Sequence, residues 1–240
     1  MFWINGVAQN TISITDRSVQ FGDGCFTTTR VVDGKISWIN SHLQRLQQDA
    51  ERLRLPAINW NILQDEMSQR VQQIKQGVLK VIITRGSGGR GYSSAACEHP
   101  TRILVLSEYP LHYHTWRTRG ISLALSPIPL ARNPWLTGIK HLNRLEQILV
   151  RMHLEQTDAD EALVLDTAGM LVECCAANLF WRKKMDVFTP DLSQSGVDGI
   201  MRRRITEYLA TLSYRLHYVT EPISTLANAD EIIVCNALMP

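Results

Sequence analysis

Two Asx-Gly pairs constrain what this 240-residue chain can fold into more than any other feature. Asn5-Gly6 and Asp33-Gly34 each lie between short apolar runs. Both central residues of a type I′ turn need positive φ, which Asn, Asp and Gly adopt most readily, so each pair signals an antiparallel hairpin. The chain is therefore expected to begin with strands. From Ser41 the period changes: Leu43, Leu46, Ala50 and Leu53 share one helical face, and Ser41-x-x-Gln44 reads as a capping box. Arg45 falls about 200° around that helix from Leu43 and is expected to point away from the apolar stripe. A second helix is expected from about Asn59, with Leu63, Met67 and Val71 at four-residue steps, stopping before Gly77. Two β-rich runs follow, at 78–84 and 102–106.

Residues 109–119 contain Pro110 and little periodicity, and they read as a linker between an N-terminal domain, 1–108, and a C-terminal domain, 120–240. The second part restarts with a strand at 121–125. Pro127, Pro129 and Pro134 keep 126–137 irregular, and a helix is expected after Lys140 with Leu142, Leu145, Leu149 and Met152 on one face. Strands are expected at 162–165, 170–173, 178–181 and 186–188. A loop at 195–202 then feeds a helix capped by Asp198, and one more buried strand, 231–235, follows.

Composition narrows the function classes. Twenty-five Lys and Arg against twenty-three Asp and Glu leave a formal charge of +2, which gives no general electrostatic reason to bind nucleic acid or an anionic membrane. No apolar run approaches the ~18 residues of a membrane helix, and the N-terminus lacks the basic and apolar regions of a signal peptide. Five cysteines, with Cys174-Cys175 adjacent and the rest isolated, make a poor disulfide framework and lack the paired spacing of a zinc site. A small-molecule partner or a second copy of the chain, a reducing cytoplasm and no metal are the expectations.

Several residues could carry chemistry. Lys140 lies between Ile139 and the apolar residues after it. A lysine there is either a solvated surface charge or a desolvated amine able to form a Schiff base with an aldehyde. Glu173 is followed by Cys174-Cys175-Ala176-Ala177. It is either an edge-strand carboxylate or, beneath a surface of small side chains, a group that holds a ring nitrogen protonated. Gly199-Ile200-Met201 opens a helix, and its free amides favour an anion such as phosphate. Arg45 is either a solvated helix arginine or a fork closing on the same phosphate. The loop Arg85 to Ser93 is glycine-rich and basic and includes Tyr92, but it has neither a Walker nor a dinucleotide pattern. It reads as a flexible hairpin tip or as a closure over a carboxylate.

Taken in order, His42-Leu43-Gln44-Arg45-Leu46, Lys140, Glu173-x-x-x-x-Asn178-Leu179-Phe180 and Gly199-Ile200-Met201-Arg202 resemble the fold-type IV pyridoxal-phosphate enzymes. That group includes D-amino-acid and branched-chain aminotransferases and aminodeoxychorismate lyases. The resemblance covers essentially the whole chain, and the stretches Phe21 to Thr28, 85–93, 138–147 and Glu173 to Asn178 are most similar to the lyase branch. It implies an α+β, two-domain fold with mixed sheets, a barrel-like second domain with flanking helices, and a homodimer. By the same resemblance Lys140 carries pyridoxal 5′-phosphate and Glu173 pairs with the pyridine nitrogen. Arg45, Gly199, Ile200, Met201, Asn178, Asn236 and Ala237 hold the cofactor, Arg90 and Tyr92 reach a substrate carboxylate, and Thr28 faces the cofactor and relays a proton. The implied reaction converts 4-amino-4-deoxychorismate to 4-aminobenzoate and pyruvate in folate biosynthesis, with a D-amino-acid or branched-chain aminotransferase as the alternative. A non-catalytic scaffold of the same fold and a cysteine hydrolase built on Cys174-Cys175 are the readings from other classes. Relatives usually continue somewhat beyond the final strand, whereas this chain stops at Pro240.

Overall fold

Both Asx-Gly turns form. Asn5 and Gly6 adopt φ of 50° and 83°, and Asp33 and Gly34 adopt 47° and 72°, closing the hairpins β1 (Phe2–Ile4) to β2 (Val7–Ala8) and β3 (Gly24–Val32) to β4 (Lys35–Ile36). The computed structural model describes residues 1–239. The chain divides into two units, the first comprising Met1–Leu111 and Lys140–Asn143, the second the remaining described residues. The tetrapeptide that begins with Lys140 thus belongs to the first unit, although by sequence order it falls in the expected second domain.

The first unit adds a short helix α1 (Arg17–Phe21), then α2 (Ile39–Arg52), α3 (Trp60–Val71), β5 (Gln76–Thr84) and β6 (Thr101–Ser107). Its strands form one antiparallel sheet in the order β2-β1-β6-β5-β3-β4. Side chains alternate across a strand, and β3 shows the result: Cys25, Thr27, Thr29 and Val31 are buried, whereas Phe26, Thr28 and Arg30 are partly exposed on the opposite face. The buried face packs Leu79, Val81, Ile83, Leu104 and Leu106 against Leu43 and Leu46 of α2 and Leu63, Met67 and Val71 of α3. The second expected helix starts where its sequence places it, and Asn59 caps it by accepting from the Ile62 amide at 3.1 Å.

The helix α2 departs from expectation at its start. It begins at Ile39, two residues before Ser41, after Trp38 in a left-handed conformation (φ 53°) and without a side-chain cap, so the Ser41-x-x-Gln44 box does not form. A turn that reverses the chain after β4 sets the helix start, and tertiary geometry overrides the local cap.

The second unit contains α4 (His112–Arg119), β7 (Leu123–Leu125), α5 (Leu145–Leu154), β8 (Glu161–Leu165), β9 (Leu171–Cys174), β10 (Asn178–Lys183), β11 (Asp186–Pro190), α6 (Ile200–Leu209), β12 (Arg215–Val219), a 3-10 turn (Ile223–Asn228) and β13 (Glu231–Cys235). Two mixed sheets result, β12-β11-β10-β13 and β7-β8-β9. Leu163, Leu171, Cys174, Ala177, Leu179 and Trp181 share a core drawn from both sheets.

Four expectations change here. Most of the expected linker is the helix α4, which has no buried residue and hence no apolar stripe to read. The helix after Lys140 starts only at Leu145, and it buries Val150 and Leu154 while Leu145, Leu149 and Met152 are exposed. This helix is apolar on both sides, so periodicity alone could not choose the inward face. Asp198 does not cap α6; Gly199 holds the cap position, and Asp198 pairs instead with Arg202 and Arg203 at 3.0 and 2.7 Å. The last strand, β13, exposes Ile232 and Ile233 and buries only Cys235.

Candidate active site

In the first unit, Lys140–Asn143 runs antiparallel to the start of β3. Phe26 N–H donates to the Lys140 carbonyl at 2.9 Å, Leu142 N–H donates to Gly24 O at 3.0 Å, and Cys25 bridges to His141. Gly24 permits this approach, because a Cβ there would strike the Ile83 carbonyl and the Leu142 side chain. The Lys140 amide donates to Asp49 Oδ2 at 3.1 Å. The backbone on both sides of the lysine side chain is thereby fixed. Lys140 Nζ lies 4.7 Å from the centroid of the Phe26 ring, within cation–π range.

Thr28 occupies the same sheet face as Phe26 and pairs directly with Lys80 of β5. Arg45 is 5 % exposed, so the expectation that it points to solvent is wrong. On α2 a polar row of His42, Arg45 and Asp49 is buried beside the apolar row of Leu43, Leu46 and Ala50. His42 Nδ1 and Thr27 Oγ1 share a 2.7 Å hydrogen bond. Burial, with the neighbouring Arg45 charge, brings the His42 pKa down to about 3, so the imidazole is neutral.

The loop between β5 and β6 is tied down, contrary to the reading as a flexible tip. Arg17 donates to the carbonyls of Gly91 and Ser93 at 3.0 and 3.1 Å. Arg85 does close on a carboxylate, but it is the chain's own Asp23, at 2.7 Å. Arg85 and Arg17 together hold Asp23 below the ordinary carboxylate range against the effect of burial. Arg90 and Tyr92 remain exposed. Tyr92 is 91 % exposed, its ring 5.7 Å from that of Phe21.

In the second unit, Glu173 is 4 % exposed, which decides against a solvated edge position. Its Oε2 accepts from the Val197 amide at 2.8 Å, and Asn178 Nδ2 donates to the Val197 carbonyl at 2.9 Å. Both peptide groups of Val197 are thus engaged, which sets the loop that enters α6. Gly199 follows because a Cβ there would overlap Asn178 Oδ1. The helix opens at Ile200 with no side-chain cap, so its first amides and the helix dipole face outward from the helix end. Asn236 Nδ2 donates to Ala176 O at 3.1 Å and its Oδ1 accepts from Leu238 and Met239, folding a turn that contains Ala237.

The first unit therefore holds Lys140 with Asp49 on its amide and Phe26 against its amine, Arg45 buried on α2, Thr28 on the sheet face of Phe26, and Arg90 and Tyr92 exposed on the loop. The second gathers Glu173, Asn178 and Gly199 about Val197, ahead of Ile200 and Met201, with Asn236 and Ala237 in a turn bonded to Ala176. Asp49, Phe26, Lys80 and Glu161 escaped the sequence reading. Asp49 was findable one helical turn beyond Arg45, and Lys80 as the polar residue inside an apolar strand. Glu161 accepts from Ala162 and Ala176 at 2.8 and 3.2 Å, stabilising the turn after Glu173, and burial raises its pKa.

The family profile described as Amino-transferase class IV matches residues 24–240. The chain belongs to that family. It is 36% identical over 239 residues to the aminodeoxychorismate lyase of Vibrio harveyi, covering 100% of this chain and 88% of that one. The crystal structure of 4-amino-4-deoxychorismate lyase from Pseudomonas aeruginosa is similar at a TM-score of 0.93 and 33% identity, covering 99% of this chain and 88% of that one. A hypothetical aminotransferase from Mycobacterium tuberculosis in a PLP-bound form shares the fold at a TM-score of 0.84 and 21% identity, covering 96% of this chain and 83% of that one. The fold expected from the sequence is thereby established.

The cysteine-hydrolase reading fails on the thiols. Burial pushes Cys175 up to about 12 and Cys174 well above its ordinary value, with the carboxylates of Glu161 and Glu173 adding to both. A nucleophilic cysteine requires the opposite shift. Among the described residues no helix is long and apolar enough to cross a membrane.

Proposed function

We propose that this chain is a pyridoxal-phosphate-dependent lyase that converts 4-amino-4-deoxychorismate to 4-aminobenzoate and pyruvate, a step toward folate. The observation that carries this reading is the match to an aminodeoxychorismate lyase over the full length of the chain. The residues present fit the cofactor by their chemistry. The residue that carries a primary amine is fixed through its backbone, its carbonyl accepting from Phe26 N–H and its N–H donating to Asp49, and a buried carboxylate lies in a strand that ends in small side chains. A helix start without a side-chain cap follows a glycine where no Cβ fits.

When bound, pyridoxal phosphate supplies an electron sink for the carbon that bears the substrate amine. Lys140 would hold the cofactor, and its amine would take the proton from that carbon. Glu173, kept from water, would hold the pyridine nitrogen protonated. The amides of Ile200 and Met201, with Gly199, Arg45, Asn178 and the Asn236-Ala237 turn, would hold the phosphate end. Arg90 and Tyr92 take a substrate carboxylate. Thr28 delivers a proton to the ether oxygen as its bond to the ring breaks. The ring loses one C–H and one C–O bond and becomes aromatic, the enolpyruvyl group leaves as pyruvate, and no oxidant is required. The chain acts as a homodimer in the cytoplasm, where its five free cysteines remain reduced.

The test is release of pyruvate and 4-aminobenzoate from 4-amino-4-deoxychorismate by the purified protein. Amino exchange between an amino acid and a keto acid without either product would instead make it an aminotransferase.

A further inference from the structure

Lys140 is not the only ammonium on the Phe26 ring. Lys80 Nζ also lies 4.7 Å from that centroid, so the two nitrogens are no farther apart than twice this distance. Lys80 sits on the partly exposed face of the first unit's sheet, directly across from Thr28, between Leu79 and Val81, whose side chains enter the core on the other face. Strand alternation thus directs one charged residue of an otherwise apolar run toward the ring that Lys140 touches. Burial lowers the Lys80 pKa from the usual lysine value, which marks a desolvated group whose field is weakly screened.

We propose that Lys80 is a charge partner of Lys140: its ammonium, fixed against the same phenyl ring, favours the uncharged state of the Lys140 nitrogen. A lysine beside a second cation is a better nucleophile and base near neutral pH, because protonating it places two positive charges side by side. This inference rests on the assignment of Lys140 as the residue that holds the cofactor. Other ionisable groups enter the balance at Lys140, among them Arg144, which donates to the Ile139 carbonyl at 3.0 Å and opposes a positive charge. From α2 come Asp49, which binds the Lys140 amide and favours a positive charge, Arg45, which opposes one, and His42, which stays neutral. From β3 come Arg30, on the same face as Phe26, and the Cys25 thiol, which burial keeps protonated. His141 is the chain neighbour. Lys80 offsets Asp49, so that a carboxylate needed to fix the backbone does not also hold the side chain protonated.

The experiment is a pH titration of the visible absorbance of the cofactor-loaded protein for wild type, Lys80→Met, Lys80→Gln and Lys80→Arg. Two unit charges about 9 Å apart at an effective dielectric of about 20 correspond to roughly one pH unit. The midpoint is expected to rise by about one pH unit in Lys80→Met and Lys80→Gln and to return to the wild-type value in Lys80→Arg. If Lys80→Met does not fold, Lys80→Gln carries the comparison. An unmoved midpoint in the neutral variants overturns the proposal. A raised KM with an unmoved midpoint also overturns it and makes Lys80 a contact for a substrate anion. Borohydride reduction followed by peptide mapping separates the two levels: cofactor fixed on a peptide lacking Lys140 refutes the assignment of Lys140 itself, whatever Lys80 does.

Discussion

Asp49 in the first unit and Glu173 in the second are equally buried, at 4 % exposure, and each accepts one backbone N–H from a loop of its own unit. Their settings differ. Asp49 lies one helical turn from Arg45 and belongs to a buried polar row on α2, so positive charge for it comes from its own helix. Glu173 lies in β9 among Val172, Cys174 and the small residues of the following turn, where burial raises the Cys174 thiol and the Glu173 charge adds to that rise. The same local device, a carboxylate under a loop amide, thus serves position in one unit, and in the proposed mechanism it would supply a charge for chemistry in the other. Substitution can separate the two.

The largest effect tests the premise beneath this comparison. Lys140→Ala should leave the Asp49 bond to the backbone amide intact while removing the side chain that the bond positions. Turnover should fall by at least about 10³-fold, and borohydride should no longer fix a visible cofactor band to the protein. A variant that still binds cofactor covalently would show that Asp49 positions nothing catalytic. Next in size is Glu173→Gln. The amide oxygen can still accept from Val197, so the thermal midpoint should change little, but the negative charge is gone. Turnover should fall by about 10²-fold with cofactor still bound, and a fall in stability with unchanged turnover would make Glu173 as structural as Asp49.

Asp49→Ala should behave in the opposite way. It leaves the Lys140 amide without the acceptor that now lies 3.1 Å away, a loss of about 2 kcal/mol for a bond to a charged group, measurable by urea unfolding. Turnover per folded molecule should fall less than in Glu173→Gln. Equal losses of turnover in the two variants would erase the distinction between them.

The sequence made the first unit's outline legible because its signals are local. Asn5-Gly6 and Asp33-Gly34 need left-handed φ wherever they occur, and Asn59 caps α3 with its own side chain. What escaped was decided by distant partners. A single apolar stripe leaves Arg45 on the solvent side, whereas α2 buries a polar row as well. The inward face of α5 is set by what packs on Val150 and Leu154, and its sequence carries leucine and methionine on both sides. The site was legible in part for the same reason. The order of Lys140, Glu173 and Gly199 is a property of the chain, but Asp49 beneath Lys140 and the bonds of Glu173 and Asn178 to Val197 exist only once loops are placed. Lys80 is an intermediate case: its polar place in an apolar strand is visible in sequence, and its approach to Phe26 is not.

The smallest expected effect concerns the third member of the polar row on α2. His42 is fully buried, at 0 % exposure, its Nδ1 shares a hydrogen bond with Thr27, and its Nε2 has no partner. An exposed histidine takes up a proton below about pH 6.5, but burial and Arg45 delay this in the fold until about pH 3. Between those values the unfolded chain binds a proton that the folded chain refuses. Stability contributed by His42 is therefore fully present above pH 6.5 and declines as the pH falls toward 3, by about 1.4 kcal/mol per pH unit at most. His42→Asn keeps a polar atom near the position of Nδ1 and removes the titration. Urea unfolding at pH 7, 6, 5 and 4 should show the two proteins converging as the pH falls, with wild type losing stability more steeply. Parallel slopes would place the acid sensitivity elsewhere and leave Asp49 and Arg45 as the only charged members of the row that matter to the position of Lys140.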